Sequence, residues 1–281
     1  MNELSSPTVP VSQYSGSAGD HQDSAPTYHL SSPSVGAQAR SGIAVSWATS
    51  SDEVRASQRL RFNVFSSEMG ARLDTTLPGH DVDLFDDYCE HLLVRDLGTD
   101  EVVGTYRVLT PAQARRVGST YSDTEFDLVG LHSFRDHMVE LGRSCVHPAY
   151  RNGGVIMSLW GALGEFMVRN KFETVMGCAS IPMLHHGLVS GDVAASIWEK
   201  LRQTHLASVE CHVRPKMPLP IEQLDSSLEV EIPALIKGYL RTGAKVLGPP
   251  AWDPEFNTAD LPMIMHIKGL PERYRKHFLG V

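Results

Sequence analysis

The pattern of apolar residues begins with a helix. Ser50 and Glu53 have the spacing of a capping box, so we expect a helix to start there and to continue through Met69. Phe62 and Phe65 fall on the same face as Met69, which predicts that this face is buried. The other faces are predicted to be basic and carry Arg59, Arg61 and Arg72.

Strands and helices then alternate along the chain. Residues 91–95 and 101–109 are apolar runs separated by a Thr-Asp turn, which predicts an antiparallel hairpin. Residues 138–146 predict a buried strand, followed by a turn rich in Gly and Arg and an apolar helix that ends near residue 170. The remaining predicted elements are helices at 111–117, 192–205 and 233–242 and strands at 173–180, 208–214, 245–247 and 261–268. This order predicts one mixed α/β sheet with a ligand at its middle.

Composition separates a folded domain from an N-terminal arm. Residues 1–45 are rich in Ser, Pro and Gly and contain very few large apolar residues. Because such a segment cannot bury enough apolar surface to offset its loss of conformational entropy, we predict that it is disordered. The chain is 42% hydrophobic and 21% charged, an ordinary globular composition that allows one large domain or two small ones. We predict a single domain at residues 46–281.

Charge and cysteine content exclude several functional classes. The net charge of −8 argues against a nucleic-acid-binding protein. The chain has no run of 18 apolar residues and no signal-peptide pattern, so we expect a cytoplasmic protein without a transmembrane helix. The four cysteines lack CxxC spacing, which predicts reduced and mostly buried thiols. The pairs His185-His186 and Cys211-His212 lack ligand spacing, and no metal site is predicted.

The predicted strand at 138–146 carries two opposite charges, Glu140 and Arg143, into apolar surroundings. Charges are costly to bury, so their presence indicates a site. The turn that follows is Arg151-Asn152-Gly153-Gly154. Glycines at a strand-to-helix turn let backbone N–H groups reach a phosphate, which the helix N-terminus also favours. An ordinary glycine turn is the alternative interpretation.

Several of these motifs resemble known acyltransferases. Arg151-x-x-Gly154 after a strand resembles the pyrophosphate loop of the GNAT superfamily, although Ile156 replaces a small residue of that pattern. The segment LRFNVFSSE at 60–68 resembles the opening helix of acyl-homoserine-lactone synthases. The charged set of that family is matched in order and spacing by Asp83-x-x-Asp86, Tyr106-Arg107 and Glu140-x-x-Arg143.

The C-terminal half distinguishes the chain from lactone synthases. The segments PALIKGYLR at 233–241 and FNTAD at 256–260, with ELGRSCVHP at 140–148, closely resemble bacterial L-ornithine N-alpha-acyltransferases of ornithine-lipid synthesis. The resemblance covers roughly residues 54–278. It implies a GNAT fold, with a mostly antiparallel central sheet flanked by helices and a C-terminal extension. It also implies transfer of a 3-hydroxyacyl chain from acyl carrier protein to the α-amine of L-ornithine, giving lyso-ornithine lipid.

Two other functions remain open on the same fold. The acceptor could be another amine, such as glycine, glutamine, lysine or S-adenosylmethionine. The chain could also be a catalytically silent protein that binds acyl carrier protein or lipid. The charged strand argues against the silent protein, because a pocket for a fatty chain has little use for buried charge.

For an N-acyltransferase, the charged residues have predicted roles. Glu140 is the predicted catalytic base, acting through a water molecule. Its alternative is an ion pair with Arg143, but residues three apart on a strand point to opposite faces. Arg107 or Arg143 would bind the substrate carboxylate, which a guanidinium matches in shape and charge. Asp83 and Asp86 would either bind a substrate ammonium group or brace the arginines.

The predicted acyl donor is the 4'-phosphopantetheine of acyl carrier protein, with CoA as a second possibility and no permanently bound cofactor. Arg151, Gly153 and Gly154 would bind its phosphate. Backbone N–H groups near Val146 would meet the thioester oxygen if the strand has a bulge there. Cys145 lies nearby and is expected to pack rather than to carry the acyl group. An acyl channel or plain core packing would involve Val155, Met157, Met176, Met183, Ile264 and Met265.

Two surface contacts are also predicted. A basic patch for the acidic carrier protein has as candidates Arg115, Arg116, Arg169 and Lys171, with a solvated surface as the alternative. The amphipathic helix at 233–245 would allow peripheral contact with the inner membrane, although an internal amphipathic helix is the favoured interpretation.

Overall fold

A computed structural model describes residues 42–73, 75–185 and 188–279. Within these residues the strands are β1 (Ile43–Trp47), β2 (Glu90–Asp96), β3 (Val102–Leu109), β4 (Phe126–Asp127), β5 (Met138–Val146), β6 (Thr174–Pro182), β7 (Leu184–His185), β8 (Leu188–Val189), β9 (Arg214–Pro215), β10 (Lys245–Val246), β11 (Ala251–Asp253) and β12 (Thr258–His266). The α-helices are α1 (Ser51–Glu68), α2 (Pro111–Val117), α3 (Ser122–Glu125), α4 (Gly154–Arg169), α5 (Asp192–Thr204), α6 (Ala234–Arg241) and α7 (Glu272–Leu279). Most of the predicted disordered arm lies outside the described residues, and its predicted boundary at 45/46 falls inside β1.

An eight-stranded sheet forms the centre of the molecule. Its strand order is β1-β2-β3-β5-β6-β12-β10, with β11 paired to β12. Every neighbouring pair in this sheet is antiparallel except β5 and β6, which run parallel. The predicted mixed, mostly antiparallel sheet is confirmed, and so is the predicted hairpin, which is β2 with β3.

The sheet opens between β5 and β6. Their parallel ladder pairs residues 138–140 with residues 174–176 and then stops, although both strands continue. Gly177 lies where the strands part, and a Cβ atom there would be 2.2 Å from the carbonyl oxygen of Leu141. Only glycine permits this approach. Beyond it, backbone groups on the facing edges have no partner across the gap and are available to a ligand.

Two helices hold the strands next to this opening. α4 packs on β1, β2 and β3 and buries Val155 and Leu159 against them. A Cβ atom at Gly104 would lie 2.3 Å from Val155, so this packing requires glycine. α1 packs on β3 and β5, and Ser50 caps it by accepting a hydrogen bond from Glu53 N, as predicted. The two strands that carry the predicted catalytic charges are therefore fixed by helices.

The C-terminal extension has its own hydrophobic cluster. Ile197 of α5 and Ile236 of α6 pack in it with Leu261 of β12. Because Ile236 is 1% exposed and Tyr239 stacks on Trp160 of α4, the apolar face of α6 lies against the protein. This arrangement favours the internal amphipathic helix. Among the described residues, no helix is long and apolar enough to cross a membrane.

Two predicted features are wrong. Residues 208–214 are not a strand but contain the 3₁₀ turn Val209–Cys211, and only Arg214–Pro215 forms a short ladder, with β4. Apolar residues at 209, 211 and 213 imitate a strand pattern, yet Val209 is 78% exposed because the turn buries only the other two. The outer faces of α1 are also less basic than predicted, since Arg61 is completely buried.

Candidate active site

Buried arginines and aspartates form one charge network beside β3 and β5. Arg61 of α1 donates from Nε to Asp81 Oδ2 at 2.7 Å and from Nη2 to Asp86 Oδ2 at 3.0 Å. Arg61 and both aspartates are buried. Ion pairs taken out of water need this kind of close geometry, because desolvation otherwise exceeds the attraction between the charges.

Arg107 and Arg143, both predicted to bind a carboxylate, belong to the same network. Arg107 Nη1 lies 2.5 Å from Asp83 Oδ1 and 3.4 Å from Asp86 Oδ1. Arg143 bonds Asp81 from Nε at 3.1 Å and Asp83 from Nη2 at 3.0 Å. Burial acts to raise the pKa of Asp83, but Arg107 and Arg143 outweigh it and lower that pKa. Burial also acts to raise the pKa of Asp86, but Arg61 and Arg107 lower it, so these carboxylates are ionised and balance the arginines.

Of the two roles predicted for Asp83 and Asp86, this geometry favours bracing. Asp86 is 2% exposed at its side chain and is already bonded to two arginines. Asp83 is 22% exposed and is likewise bonded to two arginines. Among the described residues, Arg107 pairs through Nη1 alone, which leaves its Nε and Nη2 for a ligand.

Glu140 is buried on β5 and is held by backbone N–H groups. Its Oε2 accepts a hydrogen bond from Tyr121 N at 2.8 Å, and its Oε1 accepts one from Ser122 N at 2.7 Å. Burial raises the pKa of Glu140, while these hydrogen bonds and Arg107 oppose the rise. A raised pKa makes a carboxylate a better proton acceptor, as the predicted base requires.

A bulge on β5 brings Glu140 and Arg143 to the same cavity. Residues 143 and 144 together oppose Tyr106 of β3, and Arg143 has a φ of 50°, in the left-handed region. The bulge therefore lies slightly before its predicted place near Val146. The Arg143 guanidinium is 4.7 Å from the ring centre of Tyr121, whose backbone holds Glu140. The described ion pairs include none between Glu140 and Arg143, as predicted. The reason given for this prediction was wrong, because the bulge interrupts the alternation of side chains along β5 and both residues line the same cavity.

Two cavities meet at the opening between β5 and β6. The polar cavity is lined by residues that include Arg107, Tyr121, Glu140, Arg143, Asp253 and Asp260. The apolar groove is lined by residues that include Trp160, Met167, Met176, Ile264, Met265 and Phe278. Both are lined by Leu141, Cys178, Ala179 and Tyr239. A ligand with a charged head and an apolar chain can therefore extend through both.

The turn after β5 has the geometry of an anion-binding helix N-terminus. Gly153 caps α4 with a φ of 94°, and Gly154 is the first residue of the helix. The first bond of this turn runs from Met157 N to Gly153 O. The N–H groups of Val155 and Ile156 precede it and have no partner within the helix. N–H groups at this position of a helix are available to an anion.

Arg151 and Val146 lie at the same turn. Arg151 donates from Nε to Val146 O at 3.1 Å and forms an ion pair with Glu68 at 2.9 Å. His147 N bonds Val103 O. Because hydrogen-bonded and non-bonded residues alternate along an antiparallel ladder, the N–H of Val146 points away from β3. The groups predicted to bind the phosphate and the N–H predicted to bind the oxyanion therefore lie at the same turn.

Comparison with known proteins identifies the family. The profile of the acetyltransferase (GNAT) domain matches residues 60–161. The L-ornithine N(alpha)-acyltransferase of Rhodobacter capsulatus is 35% identical over 250 residues, which cover 82% of this chain and 92% of that protein. This chain belongs to the L-ornithine N(alpha)-acyltransferase family. The protein of the same name from Brucella abortus is 33% identical over 254 residues, covering 84% of this chain and 88% of its own length. Among solved structures, the acyl-homoserine-lactone synthase LasI aligns with a TM-score of 0.48 and 14% identity, over 86% of this chain and 96% of that chain.

This acyltransferase contains charged residues that the sequence did not mark as a site. Arg61 and Asp81 complete the charge network. The sequence could have indicated Arg61, because this charged residue follows the buried Leu60 on the apolar face of α1. A separate buried acidic group consists of Glu125, Asp253 and Asp260. Asp253 and Asp260 lie on the paired strands β11 and β12, whereas Glu125 is more than 120 residues earlier in the sequence, so only the fold brings it to them.

The apolar residues predicted for an acyl channel divide into two sets. Those that line the groove are Met176, Ile264 and Met265, and those that do not are Val155, Met157 and Met183. Val155 and Met183 pack in separate hydrophobic clusters of the acyltransferase. Cys145 is buried in the cluster with Leu60, and burial raises the pKa of its thiol to about 12. Such a thiol favours packing over nucleophilic catalysis.

Proposed function

We propose that this acyltransferase joins an acyl chain to the α-amine of L-ornithine. The observation that carries the proposal is the meeting of the polar cavity and the apolar groove at the opening of the sheet. An amino acid suits the polar cavity and an acyl chain suits the groove, so the carbonyl to be attacked would lie at their shared wall. The relatives from Rhodobacter capsulatus and Brucella abortus carry this activity in their names.

In the proposed reaction Glu140 is the base. An α-ammonium group titrates near pH 8, so a buried carboxylate with a raised pKa can take its proton, directly or through a water molecule. The neutral amine then attacks the thioester carbonyl. A C–N bond forms, the C–S bond breaks, and the departing thiolate takes up the proton that the attacking nitrogen loses as it becomes an amide. The N–H of Val146 is the proposed donor to the oxyanion.

Arg107 is the proposed partner of the substrate carboxylate. Its side chain is 4% exposed, it lines the polar cavity, and its Nε and Nη2 are not used by the aspartates. A guanidinium edge with two N–H groups matches a carboxylate in a bidentate pair. The Arg143 guanidinium is bonded to Asp81 and Asp83 and would hold the cavity wall in place.

The proposed donor is a 3-hydroxyacyl chain on the 4'-phosphopantetheine of acyl carrier protein. The N–H groups at the start of α4 would bind its phosphate, and Arg151 would exchange its ion pair with Glu68 for one with the phosphate. A single phosphate needs less room than a pyrophosphate, which is consistent with the bulky Ile156 in the loop. The acidic carrier would dock through exposed basic residues such as Arg115, whose side chain is 64% exposed and pairs with Asp136 at 3.1 Å.

The experiment offers the purified protein a 3-hydroxyacyl carrier protein, or the same chain on CoA, with single amino acids, and follows thiol release. We expect release with carrier protein and ornithine. Preference for glycine, glutamine, lysine or S-adenosylmethionine would refute the acceptor, and better use of CoA would refute the donor. No release with any amine, with binding of the acyl carrier retained, would identify a silent binding protein.

A further inference from the structure

Three carboxyl groups from separate elements meet inside the molecule. Glu125 ends α3, Asp253 ends β11, and Asp260 lies on β12, and one oxygen of each lies within 4.8 Å of the others. Asp260 is 4% exposed and Asp253 is 9% exposed. Asp253 and Asp260 line the polar cavity, and Glu125 lies behind them.

Glu125 is a buried carboxyl group that receives no hydrogen bond. Both of its oxygen atoms are sealed from solvent, and among the described residues no group donates to either of them at hydrogen-bonding geometry. The side chains of Tyr121 and Cys178 are polar neighbours, and Asp260 is close enough to share a proton with Glu125. Buried polar groups are nearly always paired, so this pair of carboxyl groups indicates a place for a donor from a ligand.

The other two carboxylates are only partly satisfied. Asp253 Oδ1 accepts from the N–H groups of Glu255 and Phe256 at 2.8 and 3.0 Å, and Asp260 Oδ1 accepts from Thr258 Oγ1 at 3.0 Å. Among the described ion pairs, none joins a Lys or Arg to this group. Within the described residues a proton, and not a lysine or arginine, therefore offsets part of its charge, whereas the aspartates at 81, 83 and 86 are paired with arginines.

The pKa values of Glu125 and Asp260 show that ionising the whole acidic group without a cation is unfavourable. Burial and repulsion from Asp260 and Asp253 raise the pKa of Glu125 to about 9. Burial, together with repulsion from Asp253, raises the pKa of Asp260 to about 6. At neutral pH the group therefore retains a proton that a bound cation would replace.

The acidic group is close to the proposed base. Ser122 donates its backbone N–H to Glu140 and has its hydroxyl 3.4 Å from the Cys178 sulfur. Burial raises the pKa of that thiol, and Glu125, Asp260 and Glu140 raise it further, which places Cys178 between the acidic group and Glu140. The polar cavity is thus lined by guanidinium groups, by the proposed base and by two residues of the acidic group, Asp253 and Asp260.

We infer that Glu125, Asp253 and Asp260 bind the side-chain ammonium group of the acceptor amino acid and thereby select a basic amino acid. An ammonium group has three N–H donors in a compact head, which matches three convergent carboxyl groups. A calcium or magnesium ion would require six or more oxygen ligands. Two of these carboxylates already accept hydrogen bonds from protein donors, which makes an ammonium group the better fit. The inference rests on the proposed function, since it assumes an amino acid acceptor in the polar cavity.

The test compares ornithine with norvaline, which has the same carbon chain without the terminal amine. We expect the wild type to prefer ornithine by at least tenfold in kcat/KM. In Asp260→Asn and Glu125→Gln, the KM for ornithine should rise at least tenfold, while kcat/KM for norvaline stays the same or increases. The exposed Glu229→Gln is the matched control and should change neither value. Equal losses for both amino acids, or a wild type that uses them equally, would overturn the inference.

A binding measurement keeps the inference testable if the variants lose activity. Ornithine should raise the Tm of the wild type and of Glu229→Gln, but raise that of Asp260→Asn by much less, with norvaline giving a smaller shift throughout. Calcium or magnesium binding by calorimetry that is lost in Asp260→Asn would instead establish a metal site and overturn the inference. A wild type that acylates no amino acid, yet gains stability from ornithine through these carboxylates, would refute the proposed function alone.

Discussion

The substitution Arg61→Met removes a buried guanidinium and keeps a side chain that fills part of its volume. It leaves Asp81 and Asp86 buried, each with one remaining arginine, Arg143 at 3.1 Å and Arg107 at 3.4 Å. Removing one partner of a buried ion pair destabilises a protein by roughly 3–5 kcal/mol, because the other charge stays buried. Since both aspartates keep a second partner, we expect the low end, about 3 kcal/mol.

Urea unfolding at pH 7, followed by circular dichroism, measures this loss. The matched control is Arg59→Met, on the exposed face of the same helix, which should change the free energy of unfolding by about 0.5 kcal/mol or less. In the double variant Arg61→Met with Asp86→Asn, the loss should be smaller than the sum of the single losses, because the uncompensated charge is also removed. A loss below about 1 kcal/mol in Arg61→Met would show that the network does not hold the fold.

The pH dependence of this loss is a second check of the same reasoning. The pKa of Asp86, which Arg61 lowers, is below the value of about 3.9 that an unfolded aspartate has. The contribution of this ion pair to stability is therefore complete above about pH 4 and is lost as the pH falls through the folded pKa. The difference between wild type and Arg61→Met should shrink below pH 4. A constant difference from pH 7 to pH 3 would contradict the electrostatic explanation.

Three further predictions concern the site. Glu140→Gln should lower turnover at neutral pH by about tenfold or more, and it should abolish the rise of activity as the pH passes the raised pKa of this carboxyl group. Full activity of the variant would exclude Glu140 as the base. Gly177→Ala should lower the Tm measured by calorimetry, because the new Cβ would lie 2.2 Å from Leu141 O. The control Gly161→Ala, which has open space around it in helix α4, should not lower the Tm, and equal Tm values for the two variants would refute the tight approach of β5 and β6. Arg151→Gln should raise the KM for acyl carrier protein by about tenfold and leave the KM for ornithine unchanged, since one charged hydrogen bond is lost; the opposite split would remove this residue from the donor site.

Local sequence signals were sufficient for the elements that surround the site. The capping pattern at Ser50, the hairpin of β2 and β3, and the strand and glycine turn from β5 into α4 depend on neighbouring residues, and all are present. The pattern at 208–214 failed because alternating apolar residues can also be buried by a turn. Periodicity reports which side chains are buried, and several backbone paths bury the same ones.

The charges of the site were harder to predict, because their roles depend on partners distant in sequence. Arg61 looked like a surface residue until the fold placed Asp81 and Asp86 around it. The bulge at Arg143 could not be read from the sequence, since its left-handed φ is held by tertiary contacts rather than by a glycine. The convergence of Glu125, with its partners on β11 and β12, left no local signal at all.

Under the proposed function, the arginine network and the acidic group of the polar cavity together determine which amine of the acceptor amino acid reacts. Arg107 belongs to a network whose charges balance, yet it keeps N–H groups for a carboxylate. The acidic group of Glu125, Asp253 and Asp260 has, within the part of the chain that the structure describes, no ion pair with a lysine or arginine. In the proposed orientation, the acceptor carboxylate would lie at Arg107, its α-amine beside Glu140 and its side-chain ammonium at the acidic group, since all three places border the polar cavity. There the side-chain amine stays protonated and cannot attack a thioester, because protonation removes its lone pair. The reverse orientation would place a carboxylate against three carboxyl groups. The same charge separation that selects a basic amino acid therefore also directs acylation to the α-amine.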